Sequence, residues 1–113
     1  MHRIILFTAF FIFLSSPAVA FDQEFNDGLV AIKNGNYEQA IRLFRVAAEK
    51  GDKHAQHCLG VLLHKGLGVK QNDEEAFKWL QLAAKQGLSQ ANFDLGILIY
   101  RNKGMPENFQ DKY

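Results

Sequence analysis

The sequence predicts an all-α fold, a short α-solenoid of about five antiparallel helices. Three observations predict it. The 113-residue chain repeats itself at an offset of 36 residues: Gly51, Ala55, Leu59 and Gly60 recur as Gly87, Ala91, Leu95 and Gly96. The same offset carries Ala40 to Ala76, Phe44 to Leu80, Ala47 and Ala48 to Ala83 and Ala84, and Gly68 to Gly104, and a period of this length marks stacked helical units. Apolar residues within each unit recur at helical spacing between capping residues and glycines. Small residues fall at fixed places in the stripes, as closely crossing helices require.

The elements follow in order. Residues 1–20, MHRIILFTAFFIFLSSPAVA, have the layout of a secretory signal peptide: a basic start at His2 and Arg3, an apolar run over 4–14, and Ala18, Val19 and Ala20 before a cut ahead of Phe21. The run is shorter than the roughly 20 apolar residues that span a bilayer, so no stable membrane insertion is expected after cleavage. The expected location is the periplasm or the outside of the cell. Cleavage would remove Arg3 from the 13 Lys and Arg that face 12 Asp and Glu. The formally neutral remainder, residues 21–113, gives no reason to expect nucleic acid or an anionic membrane as partner. Export favours disulfides, but Cys58 is the single cysteine and admits no intramolecular bridge. It is read as a small buried residue, with an intermolecular disulfide as the sharper alternative.

Helices are expected at about 22–34, 37–50, 53–65, 73–86 and 89–102, in units of about 22–51, 52–87 and an incomplete 88–113. Asn36 is expected to cap the second helix, Asp52 the third, Asn72 the fourth with Glu75 as its capping-box partner, and Ser89 the fifth. The stripes are Ala40, Phe44 and Ala47; Ala55, Leu59, Leu62 and Leu63; Ala76, Leu80, Ala83 and Ala84; and Ala91, Leu95, Leu98 and Ile99. Gly87 ends the fourth helix as a left-handed residue. Gly60 and Gly96 lie inside helices, where glycine costs about 1 kcal/mol relative to alanine; close approach of a neighbouring helix is the expected compensation. The glycine-rich stretch GLGV before the helix at 73–86 could hold an anion at a helix N-terminus. It lacks the Gly-Lys-Ser/Thr ending of a phosphate loop and recurs at 103–106, so it is read as a helix-joining turn.

AQHCLGVLLHKGLGVKQNDEEAFKWLQLAAKQG and ANFDLGILIYRNKGMPENF resemble the SEL-1-like repeat (SLR) family, α-solenoid relatives of the tetratricopeptide repeats (TPR). The family pattern is matched by Ala55, Leu59, Gly60, Gly66, Gly68, Val69, Asp73, Ala76, Trp79, Ala83, Ala84 and Gly87. Leu63 and Ile99 stand where tyrosine is usual, Glu75 replaces a lysine, and Asn102 replaces a turn glycine. GLVAIKNGNYEQAIRLFRVAAEKG has a shorter turn and looks more like a plain tetratricopeptide unit. The resemblance implies a short right-handed α-solenoid that is a protein–protein binding scaffold, of the kind that serves as an adaptor in bacterial envelope and signalling systems.

Solenoids of this kind bind partners on the concave face, formed by the first helix of each pair. With Gly28, Gly60 and Gly96 equivalent, that face carries Asp22, Phe25, Leu29 and Ile32; His54, His57, Val61 and His64; and Gln90, Phe93, Ile97 and Tyr100, each set in one helical stripe. Phe25, Leu29, Ile32, His54, His57, Val61, His64, Phe93, Ile97 and Tyr100 are the expected partner-binding groove for a peptide or protein. The alternative is that these side chains pack on one another. The three histidines lack acidic neighbours at ligand spacing, and no metal, cofactor or catalytic residue is expected.

Two other functions compete with an exported adaptor. One is an envelope enzyme or accessory akin to the cysteine-rich β-lactamase-like repeat proteins, whose paired cysteines this chain lacks; the other is a truncated repeat protein without an independent role. By the 36-residue offset, the chain stops as a sixth helix would begin, leaving Leu98, Ile99 and Tyr100 with little to shield them. A homodimer through this open end is therefore expected as a possible partner arrangement.

Overall fold

The computed structural model describes residues 17–101, with side chains from residue 23 onward. Five helices fill that span: α1 (Pro17–Lys33), α2 (Tyr37–Glu49), α3 (Lys53–Lys65), α4 (Asp73–Lys85) and α5 (Ser89–Arg101). From α2 to α5 the bounds match the expected ones to within a residue. Helix α1 extends further back, so the expected cut ahead of Phe21 falls inside it. Residues 1–16 of the expected signal segment, and residues 102–113 of the expected open end, lie outside the described residues.

Glycine stops three of the helices in the same way. After α1, α2 and α4 the chain turns through Gly35, Gly51 and Gly87, at φ of 78°, 103° and 89°. In each case the glycine N–H donates to a carbonyl three residues back, and the next N–H to one five residues back, as in Gly87 to Ala84 (2.9 Å) and Leu88 to Ala83 (3.3 Å). This is the Schellman arrangement, which satisfies the last helical carbonyls.

The helix starts depart further from expectation. Asp52 caps α3 by accepting from the N–H groups of His54 and Ala55, and Asn72 caps α4 by accepting from Glu75 N–H. Asn36 occupies the cap position of α2 but makes no side-chain cap bond; its ψ of 71° falls short of the extended values at Asp52 and Asn72. Ser89 is the first helical residue of α5 rather than its cap. Leu88, which aligns with Asp52 in the repeat, precedes it and accepts from Ala91 N–H through its carbonyl. The capping box at α4 is half formed, because Asn72 N–H already donates to the Leu63 carbonyl at 2.9 Å. That leaves the Glu75 carboxylate free to accept from Arg45 on α2 (2.6 Å) and from Trp79 Nε1 (3.1 Å).

Each helix packs on its chain neighbours, and α3 also meets α5. Contacts between alternate helices define two layers. Phe25 on α1 lies 5.9 Å from the His54 ring on α3, and His57 on α3 bonds Asp94 on α5; Arg45 on α2 bonds Glu75 on α4. Between the layers lies a core of alanines at the crossings and Phe44, Leu59, Leu63, Leu80 and Leu98 in the gaps, all five less than 2% exposed. Leu98 is thus well covered, contrary to expectation, and Ile99 packs partly on the core; of that trio only Tyr100 is open, at 91%.

The in-helix glycines divide. A Cβ on Gly28 would lie 2.6 Å from Phe44 Cε1, and one on Gly60 2.7 Å from Leu80 Cγ, so both sit where a large side chain of the following helix fills the notch. Gly96 has nothing within 4 Å of such a Cβ among the described residues. No described residue makes the close approach expected there. A buried amide link joins the two units: Gln56, 4% exposed, donates to the Ala48 carbonyl and accepts from Gln86, whose Nε2 also donates to the Gly51 carbonyl at 2.9 Å.

Candidate functional site

The expected groove residues separate into three groups. On α1, Phe25 and Ile32 pack partly into the core, Phe25 5.8 Å from the Phe44 ring, while Leu29 stays 43% exposed. His54 is exposed and lies against Phe25. The α1 end of the face is therefore partly consumed by packing between helices, which is the alternative raised above and holds for this end alone.

His57, Val61, His64 and Ile97 line one cleft of about 710 Å³ between α3 and α5. Leu80, reaching through from α4, and Leu98 complete its apolar floor. The histidines do not stand free. His57 Nε2 meets Asp94 Oδ2 at 2.6 Å, and His64 Nδ1 meets Asp73 Oδ1 at 2.7 Å, distances at which a ring N–H donates to a carboxylate. The first pair ties α3 to α5 across the cleft. The second clips the end of α3 to the start of α4, where an acid is favoured by the helix dipole.

Phe93, 70% exposed, and Tyr100 flank the open notch at Gly96, with Ile97 between them. They form an outer apolar shelf on α5 that shares Ile97 and Arg101 with the cleft.

The expected set omitted Asp73, Asp94, Lys65, Gln71 and Arg101, all of which line or brace the cleft. Asp94 lies 37 residues after His57, one step past the repeat-aligned position, and that offset was the available signal. Lys65 and Arg101 are repeat equivalents at 36 residues and could have been found from the alignment. No group of three or more His, Cys, Asp or Glu among the described residues is placed to hold a metal ion.

The GLGV turn is held by the protein's own groups. Gly66 ends α3 at φ 68°, Leu67 N–H donates to the Leu62 carbonyl, and Gln71 Nε2 donates to the His64 carbonyl at 2.7 Å. Gly68, at φ 74°, lies against the backbone of Tyr37 and Glu38. Cys58 is half-buried rather than buried; burial, and then the Asp52 charge, push its thiol up to about 11. It therefore stays protonated at neutral pH, and a thiol attacks only as the thiolate.

A family model described as the Sel1 repeat matches residues 19–52 and 53–88. Among solved structures, the chain is similar to a protective antigen present in uropathogenic Escherichia coli strains displaying an SLR fold, with 34% identity, TM-score 0.72, and coverage of 75% of this chain and 19% of that one. It is also similar to a Sel1 repeat protein from Oxalobacter formigenes, at 28% identity and TM-score 0.72, covering 86% of this chain and 42% of that one. The chain thus spans less than half the length of either. No curated protein matches.

Proposed function

The chain belongs to the Sel1 repeat family, whose repeats are in general protein–protein interaction modules, and on that premise we propose that it is an exported, non-catalytic adaptor that binds a peptide or protein on the face formed by α1, α3 and α5. The observation that carries this is the apolar-floored cleft between α3 and α5, continuous through Ile97 with the exposed shelf of Phe93 and Tyr100. Exposed apolar surface of this kind usually marks an interaction site. Export to the periplasm or beyond rests on residues 1–20 alone; mass spectrometry of the protein recovered from cells tests it, a chain beginning at Phe21 being the expected result. No helix among the described residues is long and apolar enough to cross a membrane.

The test of the binding face is capture from envelope extract with the parent and with a Leu29→Asp, Phe93→Asp double variant. Both side chains are exposed, so helical circular dichroism should be unchanged while capture is lost. Capture that survives the double variant moves binding to another face. A turnover assay with a chromogenic β-lactam addresses the enzymatic alternative; the protonated Cys58 thiol favours no hydrolysis through a thiolate.

A second reading, self-association through α5, is favoured by the Gly96 notch between Phe93 and Tyr100, which no described residue fills. Sedimentation over a concentration series, for the parent and for Tyr100→Glu, tests it. A parent that stays monomeric throughout refutes it.

A further inference from the structure

The stack fills the same kind of notch twice, and in the same way. Gly28 on α1 faces Phe44 of α2, and Gly60 on α3 faces Leu80 of α4. The filling helix has one pattern both times: a buried alanine four residues before the large side chain, and two alanines three and four residues after it. These are Ala40, Phe44, Ala47 and Ala48 on α2, and Ala76, Leu80, Ala83 and Ala84 on α4. Its direction is fixed as well. Along α3, Gln56 meets Gln86, Gly60 faces Leu80 and His64 meets Asp73, so the filling helix runs antiparallel and starts beside the end of the helix it covers. Its first turn is acidic, with Glu38 on α2 and Asp73, Glu74 and Glu75 on α4. On α5 the offset of 36 residues puts Asn92, Gly96 and Tyr100 at the places of Gln56, Gly60 and His64, and these three line an open hollow of about 500 Å³. No described residue comes within 4 Å of a Cβ on Gly96. Leu95 and Ile99 are only half-buried, whereas their equivalents Leu59 and Leu63 are at most 1% exposed.

We propose that this face of α5 binds an amphipathic helix of a partner protein with the pattern Ala-x-x-x-(Leu/Phe)-x-x-Ala-Ala, lying antiparallel to α5 with its large apolar side chain in the Gly96 notch. The molecule itself shows what fits there, since the same notch on α1 and on α3 takes such a helix. A folded second copy has none to offer: its Phe44 and Leu80 are each 1% exposed and fill its own notches, and the large apolar residues that α2 and α4 expose are Val46 and Leu82. Charge agrees with the orientation. Arg101 stands in the last turn of α5, beside the point where the incoming helix starts, so an acidic first turn meets a cation and the opposite polarity does not. Phe93 and Tyr100, 70% and 91% exposed, flank the notch and would close over the docked side chain, as in other grooves that read a helix through anchors at helical spacing. The inference rests on the shelf of the binding face proposed above and specifies its ligand.

The probe is a helix already known to fit: a fluorescein-labelled peptide of residues 72–87, NDEEAFKWLQLAAKQG, followed by fluorescence anisotropy on the full chain. Saturable binding is expected. Its Kd should rise about tenfold or more when the peptide carries Leu80→Asp, and likewise when the chain carries Gly96→Leu, because each removes the burial of one leucine side chain in the notch. A Cβ at Gly96 meets no described residue, so the Gly96→Leu chain should keep the parent's helical circular dichroism and melt no lower than the parent. Absence of binding overturns the inference, as does binding that survives Gly96→Leu, which is what displacement of the chain's own α4 by the peptide would give. A parent that ignores the peptide while Gly96→Leu lowers the melting temperature overturns it in favour of residues 102–113 as occupant. A parent that ignores the peptide while its sedimenting mass rises with concentration, and falls to the monomer in Gly96→Leu, overturns it in favour of a second copy. In each of these cases the binding face stands if the Leu29→Asp, Phe93→Asp variant still loses capture from envelope extract, and falls as well if capture survives.

Discussion

Gly60 and Gly96 are equivalent in sequence and opposite in environment, so the same substitution should act on them with opposite sign. In a helix interior alanine is favoured over glycine by about 1 kcal/mol. At Gly96 an added methyl meets none of the described residues within 4 Å, so Gly96→Ala should stabilise by roughly that amount. At Gly60 the Cβ would lie 2.7 Å from Leu80 Cγ, 2.9 Å from its Cδ2 and 3.3 Å from the Ala76 carbonyl oxygen. Leu80 is 1% exposed and the oxygen belongs to the α4 backbone, so relief requires α4 to move off α3. Overpacking of this kind costs about 1–3 kcal/mol, which outweighs the propensity gain at the upper end and leaves a net loss of up to about 2 kcal/mol. The two variants should differ by about 1–3 kcal/mol, and at about 4–8 °C per kcal/mol for a domain of this size their melting temperatures should separate by about 10 °C. Thermal melts followed by circular dichroism and by Trp79 fluorescence would measure this. A Gly60→Ala protein melting at or above the parent refutes the crossing geometry. Loss of stability in Gly96→Ala would mean that another helix covers that notch in solution.

Three further outcomes follow from the contacts. Gly68→Ala places a methyl on the Tyr37 backbone at a φ of 74°, and should lower the urea midpoint by the equivalent of about 1–3 kcal/mol; a neutral result would show the turn detached from α2. The Arg45 hydrogen bond, with that of Trp79, holds the Glu75 carboxyl below its ordinary 4.5 despite partial burial. Its contribution to stability is therefore full above the unfolded value and lost as pH falls through the folded one, so the melting gap between parent and Glu75→Gln should shrink from neutral to acid pH, and a constant gap counts against the ion pair. Gln56→Leu removes the acceptor for Gln86 and the donor to Ala48, and should cost about 1–3 kcal/mol by denaturant melt with Trp79 fluorescence maximum unshifted; an unchanged midpoint would show water replacing the link.

The helices, their order and their period are legible in the residues alone. Ala, Leu and Gly at fixed offsets encode which face of each helix is buried, and the left-handed glycines encode where α1, α2 and α4 stop, because both are local properties of backbone and side-chain size. The sequence also marked the groove residues, but not their fates. Phe25 packs between helices, Phe93 stays open, and His57 and His64 meet carboxylates, because those outcomes depend on which residue of a neighbouring helix lies opposite. Glu75 shows the same limit: its spacing from Asn72 signals a local capping box, yet the Leu63 carbonyl takes the amide that the box requires, and the carboxylate crosses to Arg45 instead. Gly60 and Gly96 carry identical local signals, and only the presence of Leu80 against one and of no described residue against the other separates them. Periodicity fixes what each helix turns inward; the stacking of one unit on the next decides what it meets there.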